Sequence, residues 1–247
     1  MPSLDLSLII PCYNELAALK ENTKQIIEVL NSTRFSYEII FVDDCSTNDT
    51  VELIKEIINE HPDVNISAVF HKQNEGRGKA VADGILTAQA KIAGFIDIDL
   101  SISASYIPSM VMEIVKGADI AIALRVYKLS WHSVPRWIIS KGYSLLVKLF
   151  LRLELNDTET GCKFFNRERI MPILAEIRDT HWFWDTEIMV RSYLKGFKII
   201  EIPSVFIRSG FYSKVKIFRD SIQYFINLVG FRRELKRRRL LGKHKTC

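Results

Sequence analysis

Leu6-Ser7-Leu8-Ile9-Ile10 is apolar but for one serine, and Pro11 closes the run. A short apolar run with a breaker at its end predicts a buried β-strand. Over residues 15–30 the period lengthens, and Leu16, Leu19, Ile26, Ile27 and Leu30 fall on one side of a helix. Residues 37–42 form a second strand pattern that stops at Asp43-Asp44. Asn48 or Asp49 is placed to cap a helix that runs through Asn59. Residues 65–70 give a third strand, and the loop Asn74-Glu75-Gly76-Arg77-Gly78 leads into a helix reaching about residue 90. Residues 92–96 are a fourth strand, ending at Asp97-Ile98-Asp99. This alternation predicts an α/β fold with a mostly parallel central sheet flanked by helices. In such sheets ligands sit beyond the carboxyl ends of the strands, and three of these four ends carry polar or acidic clusters.

The pattern changes after the fifth strand. From residue 125 to 152 there are six cations, Arg125, Lys128, Arg136, Lys141, Lys148 and Arg152, and no acid. Trp131, Trp137, Tyr143 and a row of aliphatic residues lie between them, which makes a basic amphipathic segment suited to a membrane surface. A strand-like Lys163-Phe164-Phe165, two helical segments and an apolar stretch at 197–202 follow. The last part carries Ile217, Ile222, Tyr224, Phe225, Leu228 and Phe231 ahead of the basic run 232–239.

Charge sharpens this division. The chain of 247 residues has a formal net charge of +5. Residues 211–247 hold eleven Lys/Arg against two acids, a net +9, so the remainder is mildly acidic at −4. A basic tail on an acidic body implies an anionic partner, a membrane or a nucleic acid. With 48% apolar and 26% charged residues the chain is not disordered. No charge-free stretch approaches the ~18 residues of a spanning helix, and the first residues lack the basic, then apolar, pattern of a signal peptide. The four cysteines, without C-x-x-C spacing, fit free thiols in a reducing compartment.

Asp97-Ile98-Asp99 is the sharpest chemical feature. Two carboxylates one residue apart at a strand end suit Mg²⁺ or Mn²⁺, hard ions often shared with substrate phosphates. The alternative is a polar loop. Asp43-Asp44 would hold a ribose in a dinucleotide fold, but Pro11-Cys12-Tyr13-Asn14-Glu15 stands where that fold needs a glycine-rich turn. Gly76-Arg77-Gly78-Lys79-Ala80 lacks the P-loop spacing and reads as a turn that starts a helix.

Taken in order, 11–15, 42–49, 74–80 and 97–99 make the chain resemble the family 2 glycosyltransferases of the GT-A, or nucleotide-diphospho-sugar transferase, fold. The resemblance covers roughly residues 5–215 and is closest to the dolichyl- and polyprenyl-phosphate mannose and glucose synthases. It implies a catalytic domain at 1–215, including the membrane-facing segment 125–153, and a basic amphipathic tail at 216–247. Pro11, Tyr13, Glu15, Val42 and Asp44 would bind the nucleoside. Asp97, Asp99 and Ser101 would hold the metal, although Ser101 stands where mannose synthases often have Gln. Arg125, Arg136 and Ser140 would meet the acceptor phosphate, and Arg208, Ser213 and Lys214 the donor diphosphate. Asp99, Asp185, Arg125 and Arg208 form the expected catalytic set.

The implied reaction displaces a nucleoside diphosphate from a sugar, with inversion, at the cytoplasmic face of a membrane. A lipid-phosphate acceptor has a second pKa near ~6, as phosphate monoesters do, and needs cations rather than a base. A sugar-hydroxyl acceptor needs a base, for which Asp185 is the candidate. Asp185 reads equally as the N-cap of a helix from Thr186, and Glu187 as a first-turn acid favoured by the helix dipole. The partners expected are therefore a nucleotide sugar, UDP-glucose or GDP-mannose in type, a polyprenyl phosphate and a membrane surface, with room for a membrane-protein partner. A nucleic-acid module built on the 232–239 cluster would leave the acidic strand ends without a purpose.

Overall fold

A computed structural model describes residues 4–127, 142, 147–148, 150–151, 154–207 and 217–237, with side chains from 223 onward in the last stretch. The elements are β1 (Leu6–Cys12), α1 (Leu16–Asn31), β2 (Tyr37–Asp43), α2 (Thr50–Glu60), β3 (Ile66–Phe70), α3 (Arg77–Thr87), β4 (Ile92–Ile96), a 3₁₀ turn (Ala104–Tyr106) and α4 (Ile107–Val115). They continue with β5 (Ile120–Tyr127), β6 (Cys162–Asn166), α5 (Arg167–Leu174), α6 (Trp184–Leu194), β7 (Ile199–Phe206) and α7 (Ile217–Arg237).

The seven strands form one sheet in the order β3-β2-β1-β4-β6-β5-β7. All are parallel except β6, which runs antiparallel between β4 and β5. Its reversal brings Cys162 opposite Ile96, so the residues leading into β6 reach the same edge as the carboxyl end of β4.

Side chains alternate across the strands, as the two-residue period requires. Leu6, Leu8, Ile10, Ile39 and Phe41 pack on one face with α1, α2 and α4. Ile9, Ile40, Val42 and Phe95 pack on the other with α3, α5 and α6. A third, smaller cluster joins Leu228, Phe231 and Leu235 of α7 to Val147, Leu151, Phe183 and Val190. Two of the apolar tail residues, Leu228 and Phe231, thus face the protein, whereas Phe225 and Ile226 are exposed.

Pro11 does not end β1. It pairs in register with Val42 on the β2 side, while pairing with β4 has already stopped at Ile9–Phe95, so the missing N–H leaves no ladder bond unmade. α3 stops earlier than the periodicity suggests, because the chain is caught on its way into β4. Gln89 N–H donates to Glu38 Oε1 (2.9 Å) and Ala90 N–H to Ser7 Oγ (3.0 Å). Ser7 Oγ in turn donates to the same Glu38 oxygen (2.6 Å).

That buried clamp generates a prediction. Glu38→Ala leaves the Gln89 amide and the Ser7 hydroxyl without their acceptor. It is expected to lower unfolding free energy by about 1–3 kcal/mol, seen as a lower urea midpoint with an unchanged m-value.

Candidate active site

Among the described residues three other than glycine have positive φ: Asn14 (55°), Cys45 (60°) and Leu100 (48°). Each lies just beyond the carboxyl end of β1, β2 or β4. Left-handed backbone is uncommon for such residues and clusters where surrounding contacts over-determine it. Here the turns are tied to one another. Asn14 N–H donates to Ser46 Oγ (2.9 Å), Thr47 N–H to Asn14 Oδ1 (2.9 Å), and Ser46 N–H to Asp43 Oδ2 (2.9 Å).

Asp44 anchors the next loop. Its two oxygens accept separately from the amides of Glu75 and Gly76, both at 2.8 Å, and His71 Nδ1 lies 2.9 Å from Oδ1. The other His71 nitrogen meets Asp83 Oδ2 at 3.1 Å. Gly76 has φ 103°, and a β-carbon there would come within 2.4 Å of the His181 ring, so the turn into α3 requires glycine.

That turn delivers Arg77 to the centre of the strand ends. Its Nε and Nη2 both donate to Asp97 Oδ1 (2.9 and 2.6 Å), and Nη1 donates to Asp185 Oδ2 (2.6 Å). The guanidinium lies over the rings of Phe95 (5.2 Å) and Trp182 (5.6 Å). Asp185 Oδ1 also accepts from the fully buried Lys163 ammonium, which donates to the Thr160 carbonyl at 2.5 Å. Positive and negative groups therefore alternate in the order Lys163, Asp185, Arg77, Asp97.

Burial works against the Arg77 charge, but the two carboxylates outweigh it and hold its pKa above the ordinary value. Burial lowers the Lys163 pKa, against the pull of Asp185. Burial pushes the Asp97 carboxyl up to about 6, with Arg77 pulling the other way. Asp97 N–H donates to the Gly161 carbonyl (2.8 Å). A β-carbon on Gly161 would stand 1.9 Å from Asp97 Oδ2. Asp99 is exposed, and Ser101 donates to it through its amide (2.9 Å) and hydroxyl (2.7 Å).

A second charged group adjoins the first. Arg125 lies within β5 rather than after it, and grips Asp157 with two bonds of 2.6 and 2.8 Å. Glu159 Oε2 lies 3.5 Å from the same guanidinium. Burial pushes the Glu159 carboxyl up to about 7, and Arg125 only partly opposes it.

The expected site residues fall into distinct places. Tyr13 and Glu15 lie at the β1 end, Tyr13 exposed, whereas Pro11 is buried and Val42 packs inside the core beside Ala80 and Val81. Asp44, Asp97, Asp99, Ser101 and Asp185 lie beyond the carboxyl ends of the strands, and Arg125 lies in the last part of β5. Arg136, Ser140, Arg208, Ser213 and Lys214 lie outside the described residues. Asp185 is not an N-cap. It lies inside the first turn of α6, and Asp179 Oδ1 accepts from the Trp184 amide (3.1 Å) in its stead. Glu187 is a first-turn acid that also braces the preceding loop, accepting from the Arg178 and Asp179 amides and from Arg191. The sequence reading missed Arg77, Lys163 and Asp157. A signal was present for the first two, since the sequence reading gave Asp97 and Asp185 no cation between them.

Asp97, Asp99 and the Ser101 hydroxyl form an all-oxygen donor set. Among the described residues no three His, Cys, Asp or Glu gather to hold an ion without help. A short carboxylate set that leaves coordination to water and substrate phosphates is what Mg²⁺ and Mn²⁺ use, so the residues fit such an ion.

A family model described as "Glycosyl transferase family 2" matches residues 7–173. Glycosyltransferase AglD of Haloferax volcanii is 29% identical over 222 residues, 88% of this chain and 35% of that protein. Dolichyl-phosphate beta-glucosyltransferase of Dictyostelium discoideum is 29% identical over 241 residues, 92% of this chain and 73% of that protein. The protein of that name in Saccharomyces cerevisiae is 29% identical over 218 residues, 80% of this chain and 65% of that protein. The chain thus spans about a third of the Haloferax relative. Among solved structures, glucosyl-3-phosphoglycerate synthase from Mycobacterium tuberculosis, in complex with Mn²⁺, UDP and glucosyl-3-phosphoglycerate, superposes with TM-score 0.70 at 15% identity. That match covers 93% of this chain and 80% of the other. The fold is therefore GT-A-like, an α/β architecture with a mostly parallel sheet flanked by helices.

Two outcomes are expected from this geometry. Gly161→Ala pushes the Asp97 carboxylate from its place, and turnover should fall by about 100-fold while circular dichroism stays native. Glu159 binds a proton in the folded state over the interval from about 4.5 to about 7 in which the unfolded chain has released it. Its stabilising contribution is present at low pH and lost as pH rises through that interval. Glu159→Gln escapes the loss, so its melting temperature relative to the parent should rise by a few degrees between about pH 5 and about pH 8.

Proposed function

The chain belongs to glycosyl transferase family 2, and from that membership we propose that it moves a hexose from a nucleotide sugar to a polyprenyl phosphate at a membrane surface. It is a glycosyltransferase; the donor and acceptor are the proposal. The names of the Dictyostelium and Saccharomyces relatives favour glucose and dolichyl phosphate. The UDP in the Mycobacterium structure favours a uridine nucleotide; GDP-mannose is the other donor to test, as the name of a Pyrococcus furiosus relative, dolichol-phosphate mannosyltransferase, suggests.

The observation that carries the phosphate acceptor is the state of Asp185. The residue is 2% exposed, and each carboxylate oxygen accepts a charge-assisted hydrogen bond, one from Arg77 and one from Lys163. A base that takes a proton from a sugar hydroxyl must present a carboxylate to the acceptor; this one is committed to two buried cations. A phosphate monoester is already mostly anionic near neutral pH, its second pKa being about 6, and needs no such base.

The reaction then proceeds by direct displacement. An acceptor phosphate oxygen attacks the anomeric carbon from the side opposite the leaving group, the C–O bond to the nucleoside diphosphate breaks, and the configuration inverts. Tyr13, Glu15 and Asp44 orient the nucleoside, with Pro11 and Val42 forming the wall behind them. A divalent ion held by Asp97 and Asp99, with Ser101 beside them, would neutralise charge on the departing diphosphate. Arg208 and Lys214 add donors to that diphosphate, and Arg125, Arg136 and Ser140 receive the acceptor phosphate, since guanidinium groups match phosphate geometry.

We assign membrane contact to residues 125–153, which lie inside a catalytic domain ending near 215, and to the tail from 216. No described helix is long and apolar enough to cross a bilayer. Exposed Phe225 and Ile226 on α7, followed by the basic run 232–239, support a surface association. The cytoplasmic face is the proposed location, as the family resemblance implies, with a membrane-protein partner optional.

The test is transfer of label into organic solvent. Purified protein, Mn²⁺ or Mg²⁺ and a polyprenyl phosphate are incubated with labelled UDP-glucose or GDP-mannose. Label is expected in the organic phase with one donor, lost with EDTA and reduced at least about 100-fold by Asp99→Ala. Metal-dependent donor hydrolysis without organic-phase label would transfer the assignment to a hydroxyl acceptor.

A further inference from the structure

Asp97 and Asp185 lie on different elements and share one cation. Arg77 directs Nε and Nη2 onto a single oxygen of Asp97, Oδ1, and Nη1 onto Asp185. The two ends of this bridge differ. The Asp185 side chain is 3% exposed and is fixed from behind by Lys163. The Asp97 side chain is 36% exposed, at the open mouth of the strand ends. Asp97 Oδ2 faces Gly161 so closely that a β-carbon there would come within 1.9 Å. Oδ1, the oxygen on the side away from this close contact, is the one that Arg77 occupies.

We propose that Arg77 is a built-in stand-in for the divalent cation: it neutralises Asp97 until a metal arrives, remains tethered to Asp185, and gives up Asp97 to the ion. The inference rests on Asp97 being a metal ligand, as proposed above. Two positive centres within a few ångströms of one carboxylate oxygen repel each other, the more so because the Arg77 side chain is only 13% exposed. The guanidinium and the ion therefore compete for Asp97. The Asp185 tether, with the Phe95 and Trp182 rings 5.2 and 5.6 Å from the guanidinium, defines where it goes when it lets go. Lys163 and Arg77 thus match Asp185 and Asp97 in charge, and metal affinity is set below what Asp97 and Asp99 alone would give.

The experiment uses Mn²⁺ and no nucleotide. Free Mn²⁺ is measured by electron paramagnetic resonance in titrations of the full chain and of Arg77→Gln. The variant keeps the Lys163–Asp185 pair, and circular dichroism verifies its fold. It should bind Mn²⁺ about tenfold more tightly, or better. Equal or weaker binding by the folded variant overturns the inference while leaving the metal assignment intact. Absence of Mn²⁺ binding to either protein, with or without UDP or GDP, overturns the metal assignment and this inference with it. Crystals of the unaltered protein soaked in Mn²⁺ and nucleoside diphosphate give a reading that needs no variant. An anomalous peak at Asp97 with Arg77 withdrawn supports the exchange, and a peak with the Arg77–Asp97 bond in place refutes it.

Discussion

The arrangement beyond the strand ends depends on keeping four charges close together in a space largely closed to water. A lone buried charge is costly, and so is a buried pair with imperfect geometry. The chain answers with strict alternation, Lys163, Asp185, Arg77 and Asp97, each drawn from a different element. Lys163 comes from β6, Asp185 from α6, Arg77 from the start of α3 and Asp97 from the end of β4. Removing either inner member, Asp185 or Arg77, would leave like charges facing each other. The aromatic rings of Phe95 and Trp182 complete the enclosure, and Phe95 serves both cations, since Lys163 lies 5.2 Å from its centroid.

Much of the frame was legible because local patterns and the final packing agree. β4 runs over the residues its apolar run predicts, and α1, α2 and α3 start where breakers or caps announce them. The reversal of β6 was not legible. Lys163-Phe164-Phe165 reads as a strand in either direction, and only its pairing with both β4 and β5 sets the sense. The extent of α3 depended on Glu38 and Ser7, which sit on different strands and catch residues 89 and 90 from a distance.

In the site, the acidic clusters were visible because carboxylates at strand ends stand out against apolar runs. Their partners were not. Arg77 lies in a glycine-rich turn whose ordinary reading is the start of a helix, and that reading is correct for the backbone. Its side chain reaches residues 20 and 108 positions away, a distance that no local pattern encodes. Asp185 shows the converse. Its sequence context suited both a cap and a base, and the fold gives the capping to Asp179 and the carboxylate to two cations.

The reversed strand has a consequence for how such a protein diversifies. β5 leaves the sheet at Tyr127 and β6 re-enters beside it at Cys162, on the same edge. A loop placed between them starts and ends at the same edge of the sheet. The entropy of closing such a loop grows only slowly with its length. Strand order does not depend on the length of that connection, whereas its last residues, Asp157, Thr160 and Gly161, are bound to Arg125, Lys163 and Asp97. A longer or shorter connection at this point costs little in entropy and leaves the strand order as it is.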